Sequence, residues 1–249
     1  MHSVGRDGTP KLIMRINYKP TSDLEKFGVQ VYSALVENFP QTFFVGGMVR
    51  DLLLKRKITD IDIATEAKPE QMVEELSLAK IAWVDANKKF GSIMAKQGSL
   101  QVEITTFRKD LKSQNRYPKV SFLKSPKPDS LRRDFTINSL YLNPKTKAIL
   151  DFQNGLKDLK LRRIKFIGRP SVKITEDPLR ILRALRFALV LNFNLEKNAK
   201  QAIKNKFYLV KRLTKTKIEK EINKIKTAHE KNILEKVINS PKLLDKYFK

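Results

Sequence analysis

The chain has no cysteine, only two histidines and no long run of apolar residues. The absence of cysteine excludes disulfides, thiolate nucleophiles and cysteine ligands for zinc. With His2 and His229 as the only imidazoles, carboxylates remain as candidate metal ligands, and oxygen ligands favour a hard ion such as Mg²⁺. No stretch approaches the roughly 18 to 20 apolar residues of a membrane helix, and residues 1–20 lack the apolar core of a signal peptide. We therefore expect a soluble, cytoplasmic protein with no membrane partner.

Positive charge is present in large excess. The sequence contains 51 lysines and arginines against 26 aspartates and glutamates, which gives a formal net charge of +25. The segment 196–249 alone carries 16 basic and 6 acidic side chains. A surplus of this size attracts polyanions, so nucleic acid is the first partner to consider. The alternative is a solubilising charged surface, which explains a modest surplus better than this one.

The sequence changes in character near residue 152. Before that point, runs rich in β-branched and aromatic residues predict strands at TFFVG, DIDIAT, KIAWVD, GSIMAK, LQVEITTF and KAILDF. Helical patterns lie between them at PEQMVEELSL and DSLRRDFTINSLYL. After NGLKDL, apolar residues recur at helical spacing, as in EDPLRILRALRFALVL and TKTKIEKEINKIKTAHEKNILEKVI. We therefore expect a mixed α and β part followed by an all-helical part.

The motif FVGGMVRDLLLKRKITDIDIAT combines a double glycine with two alternating aspartates. Gly46 and Gly47 lie where a predicted strand ends and a helix begins, which lets backbone N–H groups approach a phosphate, although a tight turn needs the same residues. Because side chains alternate along a strand, Asp60 and Asp62 should share one face. Two close carboxylates repel each other unless a cation lies between them, which suits Mg²⁺. The alternative is the polar face of an exposed strand.

A third carboxylate lies in the later strand LQVEITTF. Glu103 should point to one face of this strand while Val102 and Ile104 point to the other. Taken alone, Glu103 would be interpreted as an exposed strand residue; beside the aspartate pair it is a candidate third metal ligand. Arg50 lies one turn into the helix that follows the glycines.

Six segments in a fixed order resemble a known family: GGMVRDLLL, DIDIAT, VEITTFR, RRDFTINSLYL, DFQNGLKDL and EDPLRILRALRF. They are similar to the class II tRNA nucleotidyltransferases, the CCA-adding enzymes, and to the bacterial poly(A) polymerases of the DNA polymerase β-like superfamily. The similarity runs from about Phe43 to Leu195. It implies an α+β fold, with a polymerase β-like nucleotidyltransferase head and a mixed β-sheet over residues 20–152. An all-helical neck and a short helical C-terminal body would follow over residues 153–249.

The resemblance implies a metal-dependent reaction. It assigns Asp60, Asp62 and Glu103 to two Mg²⁺ ions, of which one would activate an RNA 3′-hydroxyl and the other would neutralise the triphosphate of the incoming nucleotide. The residues that would bind this triphosphate are Gly46, Gly47 and Arg50.

The segment LRRDFTINSL fits a helix with a polar cluster beside apolar residues. In the family this motif contacts the ribose, so Arg133 or Asp134 is a candidate for recognising the 2′-hydroxyl. An Arg–Asp pair that supports the sheet is the alternative for Asp134. The nucleotide-binding residues implied by the motif are Arg132, Arg133, Asp134 and Asn138.

The segment TEDPLRILRALRF bears on nucleotide choice. Thr175, Glu176, Asp177 and Pro178 suit the start of a helix, as a cap, two acidic first-turn residues and a first-turn proline. At helical spacing, one face would carry Glu176, Arg180 and Arg183, with Asp177 beside them.

Asp177 and Arg180 together form a hydrogen-bond template, because a carboxylate only accepts and a guanidinium only donates. Cytosine and adenine each offer an amino donor beside a ring-nitrogen acceptor, whereas guanine and uracil present the reverse. The pair should therefore accept C and A and reject G and U. The resemblance assigns base selection to the same two positions; a helix-surface ion pair is the alternative.

Two features depart from the family's pattern. The loop within residues 109–121 carries Ser113, Gln114 and Asn115, and has Tyr117 where histidine is common. In the family this loop helps the switch from adding C to adding A. Relatives also usually continue into a longer body, for which the basic helices of residues 197–249 could substitute by contacting RNA phosphates. Their apolar faces equally fit a bundle core or a dimer surface.

Together with these patterns, the resemblance implies a template-independent RNA nucleotidyltransferase that completes the CCA 3′ end of tRNA from CTP and ATP. Addition of part of that end, or of a poly(A) tail, would use the same chemistry. A glycosyltransferase with a DxD motif would explain Asp60 and Asp62 but not the neck, and a non-catalytic RNA-binding module would explain the charge but not the three carboxylates. The oligomeric state is left open.

Overall fold

The structure, a computed structural model, describes residues 14–111 and 119–248. These residues divide into two compact units. Unit 1 contains the described residues up to Arg133 together with Asn138–Gln153, and unit 2 contains Asp134–Ile137 and the described residues from Asn154 onward. The chain therefore passes into unit 2 for four residues before it completes unit 1.

Unit 1 is built on an eight-stranded sheet. Its strands are β1 (Met14–Arg15), β2 (Thr42–Val45), β3 (Ile61–Thr65), β4 (Ala82–Asn87), β5 (Ser92–Gln97), β6 (Leu100–Thr106), β9 (Leu140–Asn143) and β10 (Ala148–Asp151). They lie in the order β1-β10-β9-β2-β3-β6-β5-β4. β3 and β6 are parallel and every other neighbouring pair is antiparallel, which confirms the predicted mixed sheet. A separate hairpin is formed by β7 (Arg108–Leu111) and β8 (Lys119–Phe122).

Helices cover one face of this sheet. The helices of unit 1 are α1 (Asp23–Val36), α2 (Gly47–Leu53), α3 (Pro69–Leu78) and α4 (Pro126–Ser130). α1 begins with a capping box in which the Ser22 hydroxyl accepts from the Glu25 backbone N–H and the Glu25 carboxylate accepts from the Ser22 N–H. It approaches β3 so closely that a Cβ at Gly28 would lie 2.7 Å from Cδ1 of Ile61. Glycine at this position therefore sets the distance between helix and sheet.

The opposite face of the sheet carries a cluster of buried apolar residues at one end. It comprises Phe43, Val45, Ala64, Phe107, Tyr141 and Leu150, with Leu123 and Phe152 packed against it. The rings of Phe43 and Tyr141 meet edge-on, with their centroids 6.1 Å apart. Further along the same face the side chains become polar, and the candidate site lies there.

The predicted helix through LRRDFTINSL is wrong. After the short helix α4, the chain turns, forms a 3₁₀ turn at Thr136–Asn138 and enters β9. Phe135 forms an isolated β-bridge with Phe166, and Leu140–Asn143 pairs with β10. The apolar residues that suggested a helical stripe are buried by these separate long-range contacts, which outweigh the local spacing.

Unit 2 is mainly helical, as predicted for the C-terminal half. Its helices are α5 (Gly155–Lys160), α6 (Pro170–Glu176), α7 (Leu179–Leu191), α8 (Lys197–Lys206), α9 (Lys215–Asn223), α10 (Ala228–Asn239) and α11 (Leu244–Tyr247). One short parallel strand pair, β11 (Arg163–Ile164) with β12 (Asn194–Leu195), was not foreseen. The longest described helices, α1 and α7, have 14 and 13 residues. None of the described helices is long and apolar enough to span a membrane.

Ionic and aromatic contacts stabilise the interior of unit 2. Nε of Arg186 donates to Glu221 at 2.8 Å, and both residues are buried. The guanidinium of Arg186 also stacks 4.1 Å from the ring centroid of Phe187. Phe135 packs between Phe166 and Phe187, with centroid distances of 4.9 and 5.7 Å. The four-residue excursion of the chain into unit 2 thus supplies a core residue.

Candidate active site

The double glycine forms a sharp turn between β2 and α2, as the sequence indicated. Gly46 has φ +78° and ψ −131°, a conformation that side-chain-bearing residues rarely adopt. A Cβ at Gly46 would lie 3.5 Å from Oδ2 of Asp62, and a Cβ at Gly47 would lie 3.8 Å from Oδ2 of Asp60. The turn therefore faces both aspartates, and the missing side chains leave open space beside their carboxylates.

The aspartates lie at the start of β3. Asp60 immediately precedes the strand and is exposed, whereas Asp62 is half-buried within it. Ile61 and Ile63 are buried at 2% and 1% exposure, which confirms the predicted alternation. The Thr59 hydroxyl donates to Oδ1 of Asp60 at 2.9 Å. The two carboxylates thus border the glycine turn from the same side.

Glu103 lies next to Asp62 on the neighbouring strand. The parallel register of β3 and β6 places Asp62 opposite Glu103, so their side chains project from the same face. Val102 and Ile104 are fully buried on the other face, as predicted. In residues 14–111 and 119–248, no three His, Asp or Glu side chains converge closely enough to hold a metal ion. The strands bring these acids together, but their side-chain positions do not form a closed ligand cluster.

Arg50 is occupied by contacts within the protein. Its Nε and Nη2 donate to the two oxygens of Asp51 at 3.0 and 2.7 Å, and its Nη1 donates to Oδ1 of Asn138 at 2.7 Å. The residue is 7% exposed. This bidentate geometry fixes the guanidinium. Arg50 and Asn138, both predicted to bind nucleotide, therefore form one buried hydrogen-bonded group behind the glycine turn.

Asp129 organises the two arginines of the RRD motif and was missed in the sequence. Its fully buried carboxylate accepts from Nε of Arg132 at 2.7 Å, Nη2 of Arg133 at 3.2 Å and the Tyr141 hydroxyl at 2.8 Å. Burial alone would raise the pKa of Asp129, but the charges of Arg133 and Arg132 hold it below its usual range. The spacing of three and four residues to the arginines was the available signal.

Arg133 connects this buried carboxylate to the glycine turn. A Cβ at Gly46 would lie 3.8 Å from its Nη1. Burial acts to lower the pKa of Arg133, but Tyr141 and Asp129, with a smaller contribution from the Asp62 charge, outweigh burial and raise that pKa. Nε of Arg133 donates to the Tyr141 hydroxyl at 3.1 Å. Arg133 is thus a fixed positive charge beside Asp62, which agrees with its predicted place near a nucleotide.

Asp134 and Arg183 form an ion pair within unit 2. Nε of Arg183 donates to Oδ2 of Asp134 at 2.7 Å, and the Phe135 backbone N–H donates to Oδ1 at 2.7 Å. Burial lowers the pKa of Arg183, but the Asp134 carboxylate outweighs it and raises that pKa. The alternative left open for Asp134 was an Arg–Asp pair that supports the sheet; the observed pair is instead formed with Arg183 within unit 2.

Glu176 does not begin a helix, so its predicted role at a helix N-terminus is wrong. It is the last residue of α6, and α7 begins at Leu179. Pro178 disfavours helical backbone at the residue before it, and Asp177 is extended, with φ −147° and ψ 101°. Thr175 does not cap α7 either, because its hydroxyl donates to the Ser171 carbonyl inside α6.

Asp177 and Arg180 lie at this helix break. Oδ1 of Asp177 accepts from the Leu179 backbone N–H at 3.0 Å, whereas Oδ2 accepts no hydrogen bond from any described residue. Nη1 of Arg180 donates to the Lys173 carbonyl at 2.9 Å and to Glu176 at 3.1 Å. Glu176 therefore positions Arg180, and one acceptor of Asp177 stays available to a ligand.

The altered loop at residues 109–121 is described only at its two flanks. Of the predicted loop at residues 109–121, the flanks belong to the β7–β8 hairpin, and Ser113, Gln114, Asn115 and Tyr117 lie outside the described residues. Its interpretation as a switch from C to A addition stays a prediction.

Sequence comparison identifies relatives over most of the chain. Residues 42–165 match the model of the poly A polymerase head domain. The CCA-adding enzyme of Lactobacillus delbrueckii is 41% identical over 187 residues, which are 74% of this chain and 46% of that protein. The CCA-adding enzyme of Bacillus licheniformis is 43% identical over 165 residues, 66% of this chain and 40% of that protein. The chain thus spans about half the length of the curated relatives it matches.

Solved structures give the same result. The Bacillus stearothermophilus CCA-adding enzyme in complex with CTP matches with a TM-score of 0.71 and 30% identity, over 81% of this chain and 49% of that one. The Thermotoga maritima CCA-adding enzyme complexed with tRNA_CCA matches with a TM-score of 0.70 and 26% identity, over 91% and 52%. The sequence matches and the shared fold show that the chain belongs to the nucleotidyltransferase family of the CCA-adding enzymes and the poly A polymerase head domain.

Proposed function

We propose that the protein is a template-independent RNA nucleotidyltransferase that adds CCA to the 3′ end of tRNA, with CTP and ATP as substrates. The observation that carries this proposal is the glycine turn, which faces Asp60 and Asp62, with Glu103 in register beside Asp62. The relatives named above are CCA-adding enzymes, and solved structures of such relatives contain CTP or tRNA. The net charge of +25 suits an RNA substrate.

Membership of this family implies use of a divalent metal. The donor set fits Mg²⁺, because it consists of carboxylates on adjacent strands beside open space, without thiol or imidazole. We assign two Mg²⁺ ions to Asp60, Asp62 and Glu103, whose side chains would turn inward as they bind. When bound, Mg²⁺ would lower the pKa of the RNA 3′-hydroxyl and neutralise charge on the triphosphate.

The chain's own residues bind and orient the reacting groups. The 3′-hydroxyl of the RNA loses its proton to water, its oxygen attacks the α-phosphorus of the nucleotide to form a new P–O bond, and the bond to pyrophosphate breaks. Gly46 and Gly47 leave room for the triphosphate, and Arg133 supplies a fixed positive charge beside it. Arg50 acts by holding α2 through Asp51 and Asn138. Arg132 positions Asp129, which in turn holds Arg133.

Base selection is assigned to Asp177 and Arg180. Oδ2 of Asp177 is available to accept from the amino group of cytosine or adenine, and the guanidinium of Arg180, held by Glu176, can donate to the adjacent ring nitrogen. Asp134, held by Arg183, is the proposed contact of the ribose 2′-hydroxyl. No nucleic-acid template is needed, because the protein itself supplies the donor and the acceptor.

We expect Asp177→Asn to reduce the preference for CTP over UTP by about 10- to 100-fold. The amide can keep the hydrogen bond to the Leu179 N–H with its oxygen, but it then presents an N–H donor where the carboxylate presented an acceptor. That donor matches the carbonyl of uracil. The measurement is the ratio of kcat/KM for single additions of CTP and UTP to tRNA that lacks CCA. Thr175→Val, at the same helix break, should keep the wild-type ratio; an unchanged ratio in Asp177→Asn would contradict the template.

The basic helices of unit 2 are proposed to bind the tRNA through its phosphates. Their lysines include Lys197, Lys200, Lys204, Lys206, Lys215, Lys217 and Lys220. Contacts of this kind position an RNA without reading its sequence, and they weaken as salt increases.

Primer extension with Mg²⁺ tests the proposed function. CTP, ATP, UTP and GTP are offered singly and together to tRNAs that end before CCA, after C and after CC, with an unstructured RNA as control. Addition of C, C and A that then stops, on tRNA alone, is the expected result. A stop at CC would indicate a partial activity, and a long A tract on any RNA would indicate a poly(A) polymerase. If no RNA is extended, the remaining alternatives are a glycosyltransferase that uses a nucleotide sugar and an RNA-binding protein without catalytic activity.

A further inference from the structure

A cleft of about 660 Å³ lies on the same sheet face as Glu103. Its floor is formed by neighbouring strands, with Gln101 and Glu103 on β6, Met94 and Lys96 on β5, and Val84 and Ala86 on β4. In the antiparallel register, Lys96 lies opposite Gln101 and Met94 opposite Glu103. Arg108 of the β7–β8 hairpin lines the same cleft. Glu103, a candidate catalytic acid, therefore also lines a cleft that extends away from Asp62.

Two polar side chains in this cleft have no partner among the described residues. The side chains of Lys96 and Gln101 make no hydrogen bond and no ion pair within 4 Å there. Arg108, by contrast, is paired: its Nη1 donates to the Phe90 carbonyl, and its Nε lies 3.7 Å from Oδ1 of Asp110, which also lines the cleft. Phe90, Met94 and Val84 add apolar surface. The lining thus combines two cations, Lys96 and Arg108, with two carboxylates, Glu103 and Asp110. Lys96, the Gln101 amide and the apolar side chains offer the three kinds of contact that a nucleotide needs, to its phosphate, its base edge and its base face.

The geometry of phosphoryl transfer assigns this nucleotide to the acceptor RNA. The attacking and leaving oxygens lie roughly in line on opposite sides of the phosphorus. In the sheet order β2-β3-β6-β5, the glycine turn follows β2, the aspartates lie on β3, and Glu103 and the cleft lie on β6 and β5. If the triphosphate and its departing pyrophosphate occupy the side of the glycine turn, the attacking hydroxyl must approach from the β6 side. The cleft is on that side.

We infer that the cleft binds the 3′-terminal nucleotide of the acceptor RNA and directs its 3′-hydroxyl toward Glu103 and Asp62. Lys96 contacts a terminal phosphate, Gln101 contacts the base edge, and Met94 and Phe90 pack against the base. This inference rests on the proposed function, because it assumes that the RNA end is the nucleophile. Lys96 and Gln101 are positioning residues, since neither touches the transferred phosphate.

Substitution of Lys96 and Gln101 should weaken the binding of tRNA without weakening the binding of CTP. In the double variant Lys96→Met, Gln101→Met we expect KM for tRNA lacking CCA to rise about 10-fold or more, while KM for CTP and kcat at saturating tRNA change less than about twofold. Lys68→Met is the matched control, because Lys68 lines a cleft of similar volume, about 650 Å³, without a candidate catalytic acid. A rise in KM for CTP, or an unchanged KM for tRNA, would overturn the inference.

Photo-crosslinking locates the RNA end without relying on turnover. The probe is tRNA that lacks CCA and carries 4-thiouridine as its last nucleotide, and cross-linked peptides are identified by mass spectrometry. We expect crosslinks within β4, β5 and β6 or at Arg108, and we expect the double variant to reduce them. Crosslinks only elsewhere, or none while the wild-type protein extends the same RNA, would contradict the cleft assignment. Failure of the wild-type protein to extend any RNA would instead contradict the proposed function, and the crosslinks would still report where the RNA end lies.

Discussion

Replacement of Asp62 by asparagine should lower the rate of nucleotide addition about 1,000-fold or more while leaving unit 1 folded. The amide has nearly the same shape as the carboxylate, so the β3 backbone and the buried isoleucines on either side need not move. It lacks the negative charge that would hold a divalent cation beside the glycine turn. Loss of several kcal/mol of charge stabilisation in the transition state corresponds to about three orders of magnitude in rate.

Single-turnover extension of tRNA by CTP measures this effect. Asp85→Asn is the control, because Asp85 is an exposed strand aspartate that does not line the cleft and, among the described residues, accepts only from the Lys88 backbone N–H. The only tryptophan of the chain, Trp83, lies in β4, so its fluorescence in a denaturant titration reports whether unit 1 stays folded. A rate within tenfold of the wild type, with unit 1 intact, would remove Asp62 from the metal site.

The turn and the acidic strands could be predicted from sequence because their signals are local. Ile61 and Ile63 alternate with the aspartates, and Val102 and Ile104 flank Glu103, so burial of one face determines where the acids point. The adjacent glycines require no knowledge of distant residues to indicate a turn. What the sequence could not provide was the parallel pairing of β3 with β6, which brings Asp62 and Glu103 side by side across 41 positions.

The same limit explains why the hydrogen-bond partners of some site residues were missed. Arg50 has a phosphate-binding pattern around it, yet its guanidinium is used by Asp51 and by Asn138, which lies 88 residues later. The partner of Asp134 is Arg183, at a separation of 49 residues, whereas two arginines directly precede it in sequence. Long-range partners of this kind depend on the order of strands and helices. They follow from the fold and cannot be predicted from the spacing of residues in the sequence.

The helix errors have a different cause. Capping signals predicted a helix that starts at Glu176 and Asp177, but Glu176 ends α6, the residue before Pro178 is extended, and this break leaves Oδ2 of Asp177 available. The rule for the residue before proline was present in the sequence and outweighed the capping signals. The break also makes Glu176, four residues before Arg180, a support for that arginine rather than a helix start.

Asp129→Ala is expected to lower the free energy of unfolding of unit 1 by about 3–5 kcal/mol. The fully buried carboxylate accepts hydrogen bonds from Arg132, Arg133 and Tyr141, and its removal leaves two positive charges close together without a counter-charge. Denaturant titration followed by Trp83 fluorescence measures the change. Asp23→Ala removes an exposed partner of Lys26 and should cost less than about 1 kcal/mol. Equal effects of the two substitutions would contradict the central role of Asp129.

Acid should remove the same stabilisation. Because the pKa of Asp129 is lower in the folded protein than in the unfolded chain, its contribution is fully present above the unfolded value of about 4 and is lost as pH falls through the folded value. In Asp129→Asn, the difference in unfolding free energy from the wild type should therefore shrink as pH falls below about 4. A constant difference across this range would mean that Asp129 stabilises unit 1 by its shape and not by its charge.

The charge of Asp129 should also matter for activity. Since Asp129 holds Arg133, which lies beside Gly46 and Asp62, loss of the Asp129 charge in Asp129→Asn should reduce nucleotide addition under conditions in which the variant is still folded.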